Sequence, residues 1–146
     1  MSERLDYRKI GAEPWKMLGA MAAYSKDCAI EYTLVELVKL RASQINGCAN
    51  CVNLHANTLR KLGETEERLQ LVVAWAEAEC FTEREQAALA WCEAVTLVAQ
   101  SGVPDELFAR LSVYFDEKEI VDLTFTIVTI NCHNRLAVAF RRPPGS

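Results

Sequence analysis

The stretch from Glu117 to Phe140 constrains the fold of this chain more than any other. Ile120, Val121, Leu123, Phe125, Ile127, Val128 and Ile130 sit in a run with no glycine or proline. At about 100° per residue they spread apolar side chains around most of a helix's circumference. A helix of this kind must be covered on several sides, by its own domain or by another subunit. Asp116 to Glu119 provides a capping box at its start, and Pro143-Pro144 ends the pattern. The β-branched residues Thr124 to Thr129 fall inside the pattern and are taken as helical with it.

The rest of the chain supplies more helices and no strand pattern bounded by hairpin turns. Pro14 opens a first helix through Tyr24. A second runs from about Glu31 to Gln44, with Leu34, Val38 and Ile45 on one stripe and Lys39 and Arg41 available to solvent. A third starts at or beside Cys48 and runs to about Leu62, with Gly63 as its C-terminal cap. Thr65 caps a fourth, with Glu66 and Glu67 in its first turn, and this helix should end near Cys80 or Phe81. Thr82 to Glu85 is a second capping box, opening an alanine-rich helix to Gln100. After Ser101-Gly102, Pro104 begins a short amphipathic segment around Leu107, Phe108 and Leu111. The expected fold is all-α, a compact bundle of about six or seven helices with short connections. It is expected as one domain over residues 1–146, with a core at about 15–142 and tails at 1–12 and 143–146.

Charge and composition remove several classes of function. The net charge is −4 and the basic residues are dispersed, so no phosphate-binding footprint exists and nucleic acid is not an expected partner. The N-terminus mixes charged and apolar residues without a signal-peptide core, and the uncharged run from Leu123 to Asn134 is too short to span a bilayer. A cytoplasmic protein with no membrane contact is expected, so its six cysteines should not be read as three structural disulfides. A glycine-rich phosphate loop, a Gly-x-Ser-x-Gly elbow, a His-Glu-x-x-His pair and fixed-period repeats are all missing.

The chemistry concentrates in Asn46-Gly47-Cys48-Ala49-Asn50-Cys51-Val52-Asn53-Leu54-His55. On a helix, Cys48, Cys51 and His55 fall within an arc of roughly 60°, so two sulfurs and one imidazole share a face. Cys48 follows a glycine break at a helix start, where free amides and the helix dipole favour a thiolate. The i, i+3 spacing allows the two thiols to close a disulfide, and His55 can carry a proton. The same pair could also be half of a zinc site, with Glu36 as a further ligand, although no second Cys-x-x-Cys or Cys-x-x-His pair completes the usual sets.

These residues resemble the AhpD-like alkylhydroperoxidases of the carboxymuconolactone decarboxylase superfamily. That pattern is a glutamate, eleven residues, Cys-x-x-Cys, three residues and a histidine; Glu36, Cys48, Cys51 and His55 match it. The likeness extends to the Asn46-Gly47 lead-in, the Leu62-Gly63 helix end and Asn134-Arg135-Leu136-Ala137. The resemblance implies a cysteine peroxidase acting on organic hydroperoxides in antioxidant defence, assembled as homotrimers or homohexamers and needing no bound cofactor. It also implies a Cys48–Cys51 redox disulfide, reduced by an external dithiol of the lipoamide or thioredoxin type, with Glu36 and His55 as a proton relay. In the family the second cysteine, here Cys51, meets the peroxide; dipole reasoning alone favours Cys48 as the more acidic thiol. Familiar members carry a histidine just before the second cysteine, where this chain has Asn50, which hydrogen-bonds but does not titrate near neutrality. Alternatives are a carboxymuconolactone decarboxylase-type enzyme, whose chemistry does not use the cysteine pair, and a non-catalytic redox-sensing or zinc-binding oligomer.

Cys28, Cys80, Cys92 and Cys132 stand outside any motif and are expected to pack as small apolar residues. His133 is expected to pack or to meet a neighbouring subunit. Trp15, Trp75 and Trp91 are expected in the core or in subunit contacts.

Overall fold

The computed structural model describes residues 2–145, so Met1 and Ser146, the outer ends of the expected tails, lie outside the described residues. Helix α3 (Tyr32–Ile45) is the centre of the molecule: Leu34, Val35, Leu37, Val38, Leu40 and Ala42 are buried, and so are the polar residues Glu36, Lys39 and Ser43. Buried side chains around this much of a helix require partners on several sides. They come from α4 (Ala49–Lys61), α6 (Glu83–Thr96) and α9 (Glu117–Ala139), with α2 (Ala12–Asp27) closing the remaining flank. Each fully buried leucine or valine in this set contributes about 1.5–3 kcal/mol of apolar burial.

The helix expected to be covered on several sides, α9, is enclosed less completely than α3. Its inner face, with Leu123, Ile127 and Ile130, is buried, while Val121, Phe125 and Val128 stay exposed along one stripe. Both capping boxes form: Thr82 with Glu85 starts α6, and Asp116 with Glu119 starts α9. The β-branched run is helical, and the Thr124 and Thr129 hydroxyls donate back to the carbonyls of Ile120 and Phe125, each at 2.7 Å.

Among the described residues nine α-helical segments form, more than the six or seven expected. Two of the additions are single turns, α1 (Tyr7–Ile10) and α7 (Val98–Ser101). The long alanine-rich helix stops at Thr96, and Leu97 breaks it before α7. The fourth expected helix is also shorter: α5 (Glu66–Leu71) tightens into a 3-10 turn over Val72–Ala74 rather than reaching Cys80. The adjacent β-branched Val72 and Val73 weaken the helix there, and Trp75 turns inward to donate from Nε1 to Glu93 at 2.7 Å. α8 (Asp105–Tyr114) follows Pro104 as expected.

The two ends of the chain meet. The Arg4 amide donates to the Phe140 carbonyl at 2.9 Å, Arg142 pairs with Glu3 at 3.1 Å, and the Tyr7 ring stacks on Phe140. This contact brings α1 and the residues after α9 over the same side of the bundle.

A polar network fixes the reversal between α3 and α4. Gly47 takes φ +65°, a left-handed conformation that glycine adopts without strain, and the Cys48 amide donates to the Ser43 carbonyl at 3.0 Å. Asn46 Nδ2 donates to Asn131 Oδ1 and Asn134 Oδ1 on α9, at 3.0 and 2.9 Å. Asn134, fully buried, donates in turn to Ser43 Oγ at 3.0 Å. Replacing Asn134 with leucine leaves Ser43 and Asn46 without that partner in the interior. The expected cost is about 2–3 kcal/mol, read as a lower urea midpoint with an unchanged denaturant slope.

Candidate active site

The first turn of α4 carries the sulfurs. Cys48 is its N-cap, in extended conformation, and its Sγ accepts from the Cys51 amide at 3.3 Å. A sulfur therefore does what serine or aspartate usually does at this position. The Cys48 and Cys51 sulfurs lie at disulfide distance, with the Cα atoms 5.3 Å apart. Both are buried in a small cluster with Ala137, but only Cys51 lines a cavity of about 560 Å³.

One turn further along α4, His55 Nδ1 lies 2.7 Å from Glu36 Oε2. Glu36 is 2% exposed, and its other oxygen accepts from Lys39 Nζ at 3.1 Å. Lys39, expected at the solvent face, is buried, and its ammonium also donates to Ser25 Oγ at 2.9 Å. Arg41, the other cation expected in solvent, is partly covered and pairs with Glu93 at 2.7 Å. Both departures have one cause: α3 is enclosed, so its charged side chains stay ionised inside only by pairing.

Burial pushes the Glu36 carboxyl up, but its hydrogen bond to His55 and the charges of His55 and Lys39 outweigh burial and hold it below the usual carboxylate range. An ionised Glu36 receives the Nδ1 proton of His55 and leaves Nε2 as the nitrogen on the other edge of the ring. His55 lines the same cavity as Cys51. The structure thus brings Glu36, Cys48, Cys51 and His55 together from two helices, although Glu36 and His55 are 19 positions apart. Asn50 is also in the cavity wall.

Two of the cavity residues were expected to serve only as packing or subunit contacts. Trp15, from α2, forms part of the wall rather than lying in the core. His133, from α9, packs edge-on against Trp15 with ring centroids 5.1 Å apart and lines the cavity, so it is not a plain packing residue. Its Nε2 is buried and has no hydrogen-bond partner among the described residues. Burial first, and then the charges of His55 and Lys39, lower its pKa to about 4. The sequence carried a faint signal: Ile130 and Ala137, three before and four after His133, share its face and line the same cavity. That face becomes informative only once α9 is known to lie beside α4.

The remaining cysteines differ among themselves. Cys92 is fully buried and donates to the Val38 carbonyl at 3.3 Å, and burial drives its thiol up to about 12. Cys28 and Cys80 are half-buried, and Cys132 is exposed rather than packed. Among the described residues, no group of three or more His, Cys, Asp or Glu is arranged to hold a metal ion, and no helix is long and apolar enough to cross a membrane.

The chain is similar to known proteins over most of its length. The model of the carboxymuconolactone decarboxylase family matches residues 14–94. The uncharacterized Bacillus subtilis (strain 168) protein YdfG is 42% identical over 139 residues, covering 95% of each chain. A crystal structure of Agrobacterium tumefaciens ATU0492 superposes with a TM-score of 0.96 at 39% identity and 99% coverage of both chains. It is described as a protein of unknown function and a candidate antioxidant defence protein AhpD. The debrominase Bmp8, solved as a cysteine-to-alanine variant in complex with 2,3,4-tribromopyrrole, shares the fold at a TM-score of 0.82 and 18% identity, over 94% of this chain and 74% of its own.

His133 gives the site a stability signature. Its folded pKa lies below the ordinary histidine value of 6.5, so the unfolded chain binds the extra proton between pH 6.5 and about 4, and stability falls as pH is lowered through that window. Urea unfolding of the oxidised protein at several pH values should show His133→Phe losing less stability than wild type between about pH 6.5 and 4.5. Parallel losses would show that His133 is not the group responsible.

Proposed function

The chain belongs to the carboxymuconolactone decarboxylase family, and on that premise we propose that it is a thiol peroxidase that reduces organic hydroperoxides through Cys48 and Cys51. The observation that carries this reading is the opening of Cys51, but not Cys48, onto a cavity that also holds the Glu36-paired His55. An attacking thiol needs access to substrate and a base to take its proton; a resolving thiol needs only to reach the first sulfur.

In the reduced protein, His55 takes the Cys51 proton, with Glu36 stabilising the imidazolium. The Cys51 thiolate attacks the terminal oxygen of R–O–O–H. The O–O bond breaks, Cys51 becomes a sulfenic acid, and the alkoxide leaves as the alcohol after taking a proton from His55. Cys48 then attacks the Cys51 sulfur, its thiol proton passing to the hydroxide that the attack displaces, so that water departs and the disulfide forms. An external dithiol, of the lipoamide or thioredoxin type, restores both thiols by exchange. Cys51 is thus the sulfur oxidised by peroxide and Cys48 the resolving one, and a homotrimer or homohexamer is the expected assembly.

Reduced protein mixed with one equivalent of cumene hydroperoxide should lose two thiols per chain, and mass spectrometry should map the new bond to Cys48 and Cys51. Cys51→Ser should abolish peroxide loss. Cys48→Ser should still consume one equivalent and stop at the sulfenic acid. Glu36→Gln and His55→Asn should each slow the step by about a hundredfold or more. Peroxide persisting in the presence of fully reduced wild-type protein would refute the reading.

A further inference from the structure

One wall of the cavity that holds Cys51 and His55 is built by the two ends of the chain. Ala137, which clusters with Cys48 and Cys51, lines this cavity, and the Arg142 amide donates to the Ala137 carbonyl at 2.8 Å. Three residues beyond Ala137, the Phe140 ring carries the Tyr7 ring stacked on it, with centroids 5.2 Å apart and planes at 24°. Tyr7 also meets Trp15 edge-on at 5.6 Å, and Trp15 meets His133 edge-on at 5.1 Å. Tyr7, Trp15 and His133 all line the sulfur cavity. A row of four rings therefore runs from the end of α9, beside the sulfurs, to the histidine in the cavity wall. A second cavity, of about 410 Å³, lies against the same row. Tyr7 and Trp15 are the residues common to both linings. The second lining also includes Leu5, Ile10, Leu18 and Leu136, and no charged residue belongs to it among the described residues.

The two shared residues are held differently. Trp15 belongs to α2, one of the helices that enclose α3, whereas Tyr7 sits on α1, a single turn with no buried residue. The place of α1 is set by the chain-end junction: Arg4 donates to the carbonyls of Phe140 and Ala139 at 2.9 and 3.0 Å, and Arg142 pairs with Glu3 at 3.1 Å. The stacked and edge-on contacts of Tyr7 are the geometries that aromatic rings prefer, so they fix the orientation of its ring as well as its position. We propose that Tyr7 is a specificity-determining residue of the peroxide step: its ring closes the sulfur cavity toward the second cavity and limits the bulk of the organic group that can approach Cys51. Hydroperoxides whose organic group stays within the sulfur cavity are favoured. Without the ring, a bulky apolar group extends into the second cavity. The redox step is the one given above and is unchanged, because Tyr7 moves no proton and makes no bond to sulfur. The substrate preference rests on the peroxidase reading, but the closure itself can be measured without peroxide.

The reduced protein is treated with N-ethylmaleimide and, separately, with N-(1-pyrenyl)maleimide, which carry the same reacting group on a small and on a bulky apolar body. Mass spectrometry follows the modification of Cys51 itself. Tyr7→Ala should raise the ratio of bulky to small reagent rates at Cys51 by about tenfold over wild type, the low end of what small changes in an apolar pocket produce. Tyr7→Leu, a milder truncation, should raise it by a smaller factor, and Tyr7→Phe, which keeps the ring, should leave it as in wild type. A role confined to holding the fold together would speed both reagents alike and leave the ratio unmoved. An unchanged ratio in Tyr7→Ala and Tyr7→Leu, or a Tyr7→Phe ratio that rises with them, would overturn the proposal. In turnover, Tyr7→Ala should raise kcat/KM for cumene hydroperoxide relative to ethyl hydroperoxide. Failure of the reduced protein to consume either peroxide would refute peroxidase activity alone and leave the reagent ratio at Cys51 interpretable.

Discussion

The buried ionised carboxylate of Glu36 is the constraint on which the rest of this structure depends. An unpaired carboxylate in an enclosed helix would cost several kcal/mol, so the fold has to supply partners for it. It does so from two directions: Lys39 lies one turn away on the same helix, and His55 comes from the neighbouring helix. The Lys39 contact is local and would form in any α3. The His55 contact exists only when α3 and α4 are packed at the right height, so the carboxylate reports and enforces their register. Lys39 in turn needs Ser25, which ties α2 to the same cluster.

That register also determines what the sulfurs can do. Cys48 ends the reversal that Asn46 and Gly47 begin, and as N-cap its sulfur is already engaged by the Cys51 amide. That engagement follows from capping geometry, which directs the N-cap side chain toward the amides of the first turn. Cys51, inside the first turn, projects from the helix into the cavity instead. Two cysteines three residues apart are thereby made unequal by the helix start. The inequality separates a cavity-lining sulfur from one outside the cavity wall more clearly than the dipole does, since the dipole acts on both.

The cavity exists because helices from distant parts of the chain meet at this side of the bundle. α4 provides the sulfur, the imidazole and a row of amide side chains; α9 provides Ile130, His133 and Ala137; α2 provides Trp15. The junction of the two chain ends adds Arg8 and Arg142. His133 shows what such convergence can do to a side chain. Burial first, and then the charges of His55 and Lys39, lower its pKa and favour the neutral ring.

Much of this was legible in the sequence for physical reasons. Helix starts are local events, so both capping boxes, the Thr65 cap and the Gly47 break could be read from neighbouring residues. The shared face of Cys51 and His55 follows from helix period alone, whereas Cys48, expected on that face, is the extended N-cap outside the helix; the offset from Glu36 pointed to its inclusion through family likeness. Properties set by packing were not legible. The burial of Lys39 and Arg41, the early end of α5 and the exposed stripe on α9 all depend on what lies against each helix. His133 belongs to that group: its own neighbours in sequence mark it only as a residue on a long apolar helix. By itself the sequence determined an all-helical chain with a pair of thiols at one helix start and an imidazole one turn further on, because period and capping are short-range. Only the tertiary structure decided which sulfur lines the cavity, which cations are covered and which histidine has its pKa lowered, because these depend on groups brought together from distant parts of the chain.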